Sequence, residues 1–272
     1  MELDNKSLIL AIQNKIDDLS AWLQNELITE PYYKDFAYRF CWNSNSIEGN
    51  TLSLDETIAV VDYDEVRSGH TYTEYTEAKS LYHVISTMLD KTGSHITEDW
   101  IQDVNAGILN KKRGYRQGNL YVGTLIEATY YPPDYEKVPE LMRSYMKRLN
   151  RKEMSLSEYL GAIAEDHILF ERIHPFSDGN GRTGRMILNQ QLINWGLLPI
   201  TIDNQSKYRQ SFQRYDRGRD LSLLLHLICK GELNAIERVT ELGQQLERNI
   251  EEQSKTAETN KSASVKKKIK SL

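Results

Sequence analysis

Apolar residues recur at intervals of three and four along almost all of this 272-residue chain, a spacing that predicts a mostly α-helical fold. Ile12, Ile16, Leu19 and Leu23 line one face of a first helix, which Pro31 is expected to close, and Tyr33, Phe36 and Phe40 open a second face. Ser53 and Glu56 stand as a capping box at a new helix start. Further helices follow through Ala78, Leu81, Tyr82, Ile85 and Leu89, and, after Thr97, through Trp100, Val104 and Ile108. The pattern returns at Val138, Leu141, Met142, Tyr145 and Leu149, and again at Leu160, Ile163, His167 and Phe170. Helical segments are then expected after Gly181, around Gln205 to Tyr215, from Leu221 to Cys229, and from Glu232 to about Glu252, beyond which Lys, Ser and Thr suggest a frayed tail. Only Gly114 to Pro133 escapes the pattern. It mixes glycines with β-branched and aromatic residues and ends in two prolines, and reads as a short β-hairpin.

Hydrophobic residues make up 39% and charged residues 27%, with mean hydropathy −0.59, which describes a soluble globular chain and excludes a wholly disordered one. No run approaches the roughly 18 apolar residues of a membrane helix. The opening MELDNKSLILAIQNK breaks its apolar stretch with charges, so no membrane association is expected and the cytoplasm is the expected compartment. Cys41 and Cys229 are too few for a zinc set or a disulfide framework and read as buried small hydrophobes. Net charge is −5, but six lysines of residues 255–272 face one acid there, Glu258, which leaves the rest at −10. The body is therefore not a general nucleic-acid binder, and the tail lysines read as a solvated run.

Chemistry concentrates in His174 to Arg185, HPFSDGNGRTGR. Gly179 and Gly181 permit backbone amides to converge on one point at the start of a helix, an anion nest suited to phosphate. Arg182 and Arg185 add charge from one side of that helix. Asp178 is a hard oxygen donor suited to Mg²⁺, and His174 can take a proton from a hydroxyl near neutral pH. Pro175 and Phe176 would anchor the loop. The glycines at 179, 181 and 184 also match a dinucleotide fingerprint, with Asp203 as the ribose acid, but helical spacing precedes them where a strand is required. A Walker loop fails too, because Arg185 and Met186 replace Lys and Ser/Thr. His167 falls on the apolar face of its helix and reads as a core histidine, and a metal set of His167, Glu171 and His174 lacks metal-ligand spacing.

The loop resembles the signature of the Fic (filamentation-induced-by-cAMP) family, HPFx(D/E)GNGRxxR, and fills every defined position of it. The resemblance extends weakly over about residues 100–220. It implies a helical core with a target-docking flap, here the hairpin ending in Tyr131, Pro132 and Pro133. It also implies transfer of AMP from ATP to a Tyr, Thr or Ser hydroxyl of a protein, with self-modification as one outcome. Residue by residue, it implies His174 as base, Asp178 as Mg²⁺ ligand, and Gly179, Asn180, Gly181, Arg182, Thr183, Gly184 and Arg185 around the phosphates. Thr129, Tyr130, Tyr208 and Asp216 would stand near the nucleotide, Asp216 where several relatives have asparagine. Ala128 stands where the flap often has glycine.

A second match lies upstream in SNSIEGNT, where Ser44, Glu48 and Gly49 fit the family's inhibitory pattern. In the family that glutamate reaches the second arginine, here Arg185, and keeps the γ-phosphate from settling. The bland reading is a helix end with Gly49 as cap and Glu48 in solvent. The expected organisation is an N-terminal helical region over 1–97 carrying the inhibitory motif, a Fic core over 98–230, and a C-terminal helix and basic tail over 231–272. Rival readings are transfer of another nucleotide or a phosphocholine group, and a catalytically vestigial nucleotide-sensing regulator. A phosphorylating relative usually lacks the second glycine, and Gly181 is present.

Overall fold

The computed structural model describes residues 3–66, 68–123, 128–151 and 154–270, and among these it is helical apart from one hairpin. The helices are α1 (Asn5–Leu23), α2 (Glu26–Ile47), α3 (Leu54–Tyr63), α4 (Tyr72–Met88), α5 (Glu98–Leu109), α6 (Val138–Leu149), α7 (Leu156–Ile173), α8 (Asn180–Trp195), α9 (Gln205–Gly218) and α10 (Ser222–Lys270). Between α5 and α6 lie the strands β1 (Val122–Gly123) and β2 (Ala128–Tyr130). No described helix is long and apolar enough to cross a membrane.

Local sequence sets most of the boundaries. Ser53 and Glu56 form the expected capping box at α3, Thr71 and Glu74 form another at α4, and Ser155 and Glu158 a third at α7. Thr97 caps α5. Pro31, however, lies inside α2, and the break falls earlier, where the Asn25 side chain accepts from Leu27 N–H. In the second turn of α2 this proline removes a ladder bond and crowds the carbonyl one turn back, and burial of Ile28, Tyr32 and Phe36 on the same helix offsets that cost.

Two other expectations need correction. The segments at Leu221–Cys229 and Glu232–Glu252 are one helix, α10, which runs on to Lys270. Gly231 sits inside it because a Cβ there would meet the Ile200 side chain and the Thr201 carbonyl, so this glycine marks a close approach and not a stop. The hairpin is also much shorter than the segment that announced it. Val122 pairs with Tyr130 and Gly123 with Ala128, which leaves position 129 as a bulge.

Helix α8 runs through the middle. It gives Leu188 and Leu192 to a core cluster shared with α1, α7 and α10, Met186 and Ile193 to one shared with α2, α4 and α5, and Ile187 to one shared with α5, α6 and α7. Being buried nearly all round, it must also satisfy its polar residues inside the protein. Asn189 exchanges hydrogen bonds with the backbone of Ile200, Gln190 does so with Asp90, and Gln191 donates to Asp166. The N-terminus of this central helix is where the histidine–glycine loop ends.

Candidate functional site

The loop is a sharp link between α7 and α8. His174 ends α7 in the left-handed region, φ 49°, with its N–H on the Phe170 carbonyl at 2.9 Å. Phe176 anchors the loop in the core, and Asn180 closes it: its amide oxygen accepts from Phe176 N–H and its nitrogen donates to Phe176 C=O, both at 2.9 Å. Gly179, at φ 73°, turns the chain into α8 and brings no side chain to cap it. The first amides of a buried helix are thus presented with no capping side chain, which favours an anion.

Burial pushes the His174 imidazole down to about 4, with the positive charges of Arg116 and Arg172 adding to the effect. The ring is therefore neutral at physiological pH and able to accept a proton. Asp178 is 60% exposed and 3.8 Å from Arg182 Nη2. Among the described residues no three His, Cys, Asp or Glu gather as a ready metal site. Asp178 Oδ1 accepts from Gly179 N–H at 2.6 Å, and the carboxylate, otherwise exposed beside the helix N-terminus, still suits Mg²⁺, which takes one or two carboxylates and draws its other ligands from phosphates and water.

Both loop arginines are held by acids from the N-terminal helices. Arg185, its side chain 3% exposed, donates from Nε to Ser44 Oγ at 2.8 Å, and from Nη2 to Ser44 C=O at 3.0 Å and Glu48 Oε1 at 2.7 Å. Ser44 and Glu48, one turn apart on the end of α2, grip it together, while Gly49 at φ 102° turns the chain away. Gly49 is therefore a helix-ending glycine, and Glu48, its side chain 37% exposed, is nonetheless paired with Arg185. A Cβ on Gly181 would overlap the Glu48 carboxylate, so that carboxylate lies against the first turn of α8, at the nest. Arg182 donates to Glu77 Oε1 of α4 at 3.0 Å, and the other Glu77 oxygen accepts from Asn50 at 3.1 Å.

A family profile described as Fic/DOC matches residues 95–192. Those residues match a Fic/DOC domain. Similar curated proteins include a protein adenylyltransferase Fic of Nematostella vectensis, 27% identical over 208 residues, covering 75% of this chain and 48% of that protein. A probable protein adenylyltransferase of Aquifex aeolicus is 32% identical over 178 residues, covering 64% and 53%. The chain spans about half the length of these relatives. Among solved structures, a Fic domain containing signaling protein from Bacteroides thetaiotaomicron superposes with a TM-score of 0.75 at 21% identity, covering 87% of this chain and 97% of that one. Fic-1 from Caenorhabditis elegans gives 0.71 at 22% identity, covering 89% and 73%.

Several residues expected around the nucleotide serve the protein itself. Thr183 is fully buried and its Oγ accepts from Asn105, while a Cβ at Gly184 would meet Glu171, Phe170 and His167, so these two pack α8 against α5 and α7. Tyr208 is 3% exposed, its hydroxyl 2.7 Å from His167 Nε2 and 3.4 Å from Arg185 Nη1, because it shares the inward face of α9 with Ser211 and Tyr215. It supports Arg185 and offers no open ring for adenosine to stack on. Asp216 is paired through both oxygens with Arg172, at 2.9 and 2.6 Å. That guanidinium lies 4.5 Å above the ring of Tyr130, whose hydroxyl donates to the Arg172 carbonyl. The Thr129 side chain lies outside the described residues. His167 is the core histidine expected, pushed down to about 3 mainly by burial.

Sequence reading missed Asn105, Glu77 and Arg116. Asn105 holds Asp178 C=O at 3.0 Å as well as Thr183, and its one signal was an amide on the apolar face of α5 between Ile101 and Ile108. Glu77 and Arg116 carried no such signal, because the loop residue each one holds is distant in sequence.

Proposed function

We propose that this chain is a protein adenylyltransferase that moves AMP from ATP to a Tyr, Thr or Ser hydroxyl and restrains itself through Glu48. The observation that carries the reading is a neutral, half-buried histidine and an uncapped helix N-terminus at opposite ends of one short loop. The relatives' names support it. His174 takes the proton as the target's oxygen forms its bond to the α-phosphorus, and the bond from α-phosphorus to the bridging oxygen breaks to release pyrophosphate. The amides at the start of α8, with Arg182 and Arg185, stabilise the charge that gathers on that leaving group. Mg²⁺, held by Asp178 and the phosphates, would neutralise part of the same charge. The target docks its main chain along the hairpin, and self-modification uses the same path.

Restraint follows from electrostatics. The Glu48 carboxylate lies on Arg185 and against Gly181, where phosphate oxygens would sit, so nucleotide and carboxylate compete for one anion site. On this reading residues 1–97 carry the restraint, 98–230 the chemistry and 231–272 support, and the protein works in the cytoplasm. The test is labelling with α-³²P-ATP and γ-³²P-ATP in Mg²⁺, using Glu48→Gly to lift the restraint. Label from the α-position alone means AMP transfer, whereas label from the γ-position alone means a kinase and overturns the reading. Because Tyr208 and Asp216 are engaged elsewhere, a different nucleobase is the second reading. The mass added to the target when all four nucleoside triphosphates are offered separates the two.

A further inference from the structure

Arg116 is 5% exposed, and each of its three guanidinium nitrogens donates to a main-chain carbonyl. Nε donates to His174 C=O at 2.9 Å, Nη1 to Gly118 C=O at 3.0 Å, and Nη2 to Pro133 C=O. Its own N–H donates to Pro175 C=O at 2.9 Å. Gly118 and Pro133 bracket the hairpin, and His174 and Pro175 begin the catalytic loop. His174 sits at φ 49°, a conformation a non-glycine residue holds only when its surroundings enforce it. Its N–H is spent on α7, and the Arg116 fork takes its carbonyl.

We propose that Arg116 is a positioning residue that fixes the hairpin and the His174 backbone to each other through one planar fork. The inference rests on the adenylyltransferase reading for its consequence: the hairpin places the incoming hydroxyl, His174 removes its proton, and Arg116 sets the distance between them. Arginine is required because five donors in a rigid plane reach three carbonyls at once. A lysine keeps the charge but concentrates its donors on one nitrogen. The hairpin has a separate local closure, in which Asn119 donates to Asp134 Oδ1 at 3.1 Å and accepts from Tyr135 N–H at 2.9 Å, and this touches neither His174 nor Pro175.

Arg116→Lys and Asn119→Ala, each made in the full chain with and without Glu48→Gly, test the coupling. With Glu48→Gly, Arg116→Lys is expected to lower kcat at least tenfold while KM for ATP stays within twofold. Hydrogen exchange should quicken together in residues 118–123, 128–133 and the amides of His174 and Phe176. Asn119→Ala should quicken exchange in the hairpin alone and raise KM for the target. An Arg116→Lys enzyme with kcat within twofold of its parent overturns the proposal. So does a parallel loss of ATP affinity, or faster exchange in the hairpin or the loop but not both. If Glu48→Gly labels nothing, the transferase reading fails, and the exchange measurement still decides whether Arg116 couples the two segments.

Discussion

Replacing Glu48 with glycine should weaken the protein and activate it at the same time. Arg185 is 3% exposed, and the change takes away its one acidic hydrogen-bond partner while Ser44 and Tyr208 remain. An orphaned buried charge is costly, so a lower Tm is expected from a thermal melt. Labelling should nevertheless rise several-fold, because the anion site is freed. Arg185→Ala should lose transfer and gain nothing further from Glu48→Gly. Equal labelling by Glu48→Gly and the parent over a range of ATP and Mg²⁺ would restore the bland reading of a helix end.

His174 carries a second expectation at the same scale. Its ring is held down to about 4, so it is already unprotonated well below neutrality, and protonation removes the base only on the acid side of that value. In the Glu48→Gly background, transfer should hold a plateau from about pH 5.5 to 8; a half-maximum near the ordinary histidine value of about 6.5 would contradict the burial argument. His174→Ala should cost about 10²- to 10⁴-fold in transfer and leave ATP binding largely intact. Glu232, fully buried with one oxygen on Leu198 N–H and the other without a partner among the described residues, is pushed up to about 8 by burial. Between its ordinary value and about 8 the folded chain keeps a proton that the unfolded chain gives up, so this group makes stability fall as pH rises across that window. Glu232→Gln should flatten that fall in urea melts run from pH 5 to 8.5.

At the scale of elements, Asn180 is the residue that turns a link into a site. Asn180→Ala leaves Phe176 N–H and C=O unpaired in the core, at about 1–3 kcal/mol for each group. A thermal melt should show the loss, and ATP affinity should fall as well, because the first turn of α8 is no longer aimed. The helices were legible because apolar period and capping boxes are local, as at Ser53–Glu56 and Thr97. The loop was legible because its glycines, histidine and arginines are contiguous. Pro31 misled because tertiary burial outweighs its local penalty, and the gap expected between Cys229 and Glu232 is closed because α10 runs straight through Gly231. Arg116 and Glu77 were illegible for a different reason: the loop residues they hold, His174 and Arg182, lie 58 and 105 residues away, and nothing local announces them.

The whole molecule does not separate where its roles do. All three core clusters draw residues from both sides of position 97, and Ala235, Ile236 and Val239 of α10 join the first of them. A chain beginning at Ser53 would lose Ile28 and Tyr32 from one cluster and Phe36, Phe40 and Cys41 from another. Cutting off residues 1–52 should therefore give a protein that fails to fold, measured by soluble yield and circular dichroism, where on the proposed restraint the single change Glu48→Gly should give an active one.

Glu48 and Arg185 are 137 residues apart. A ribosome adding about 5–20 residues per second makes the acid roughly 7–30 s before the arginine it will hold. The carboxylate is waiting when α8 is still unmade, and the nest takes shape against it. On the restrained reading each molecule is born silent, with no youthful interval of unguarded labelling, and whatever lifts the restraint acts on finished protein, one copy at a time.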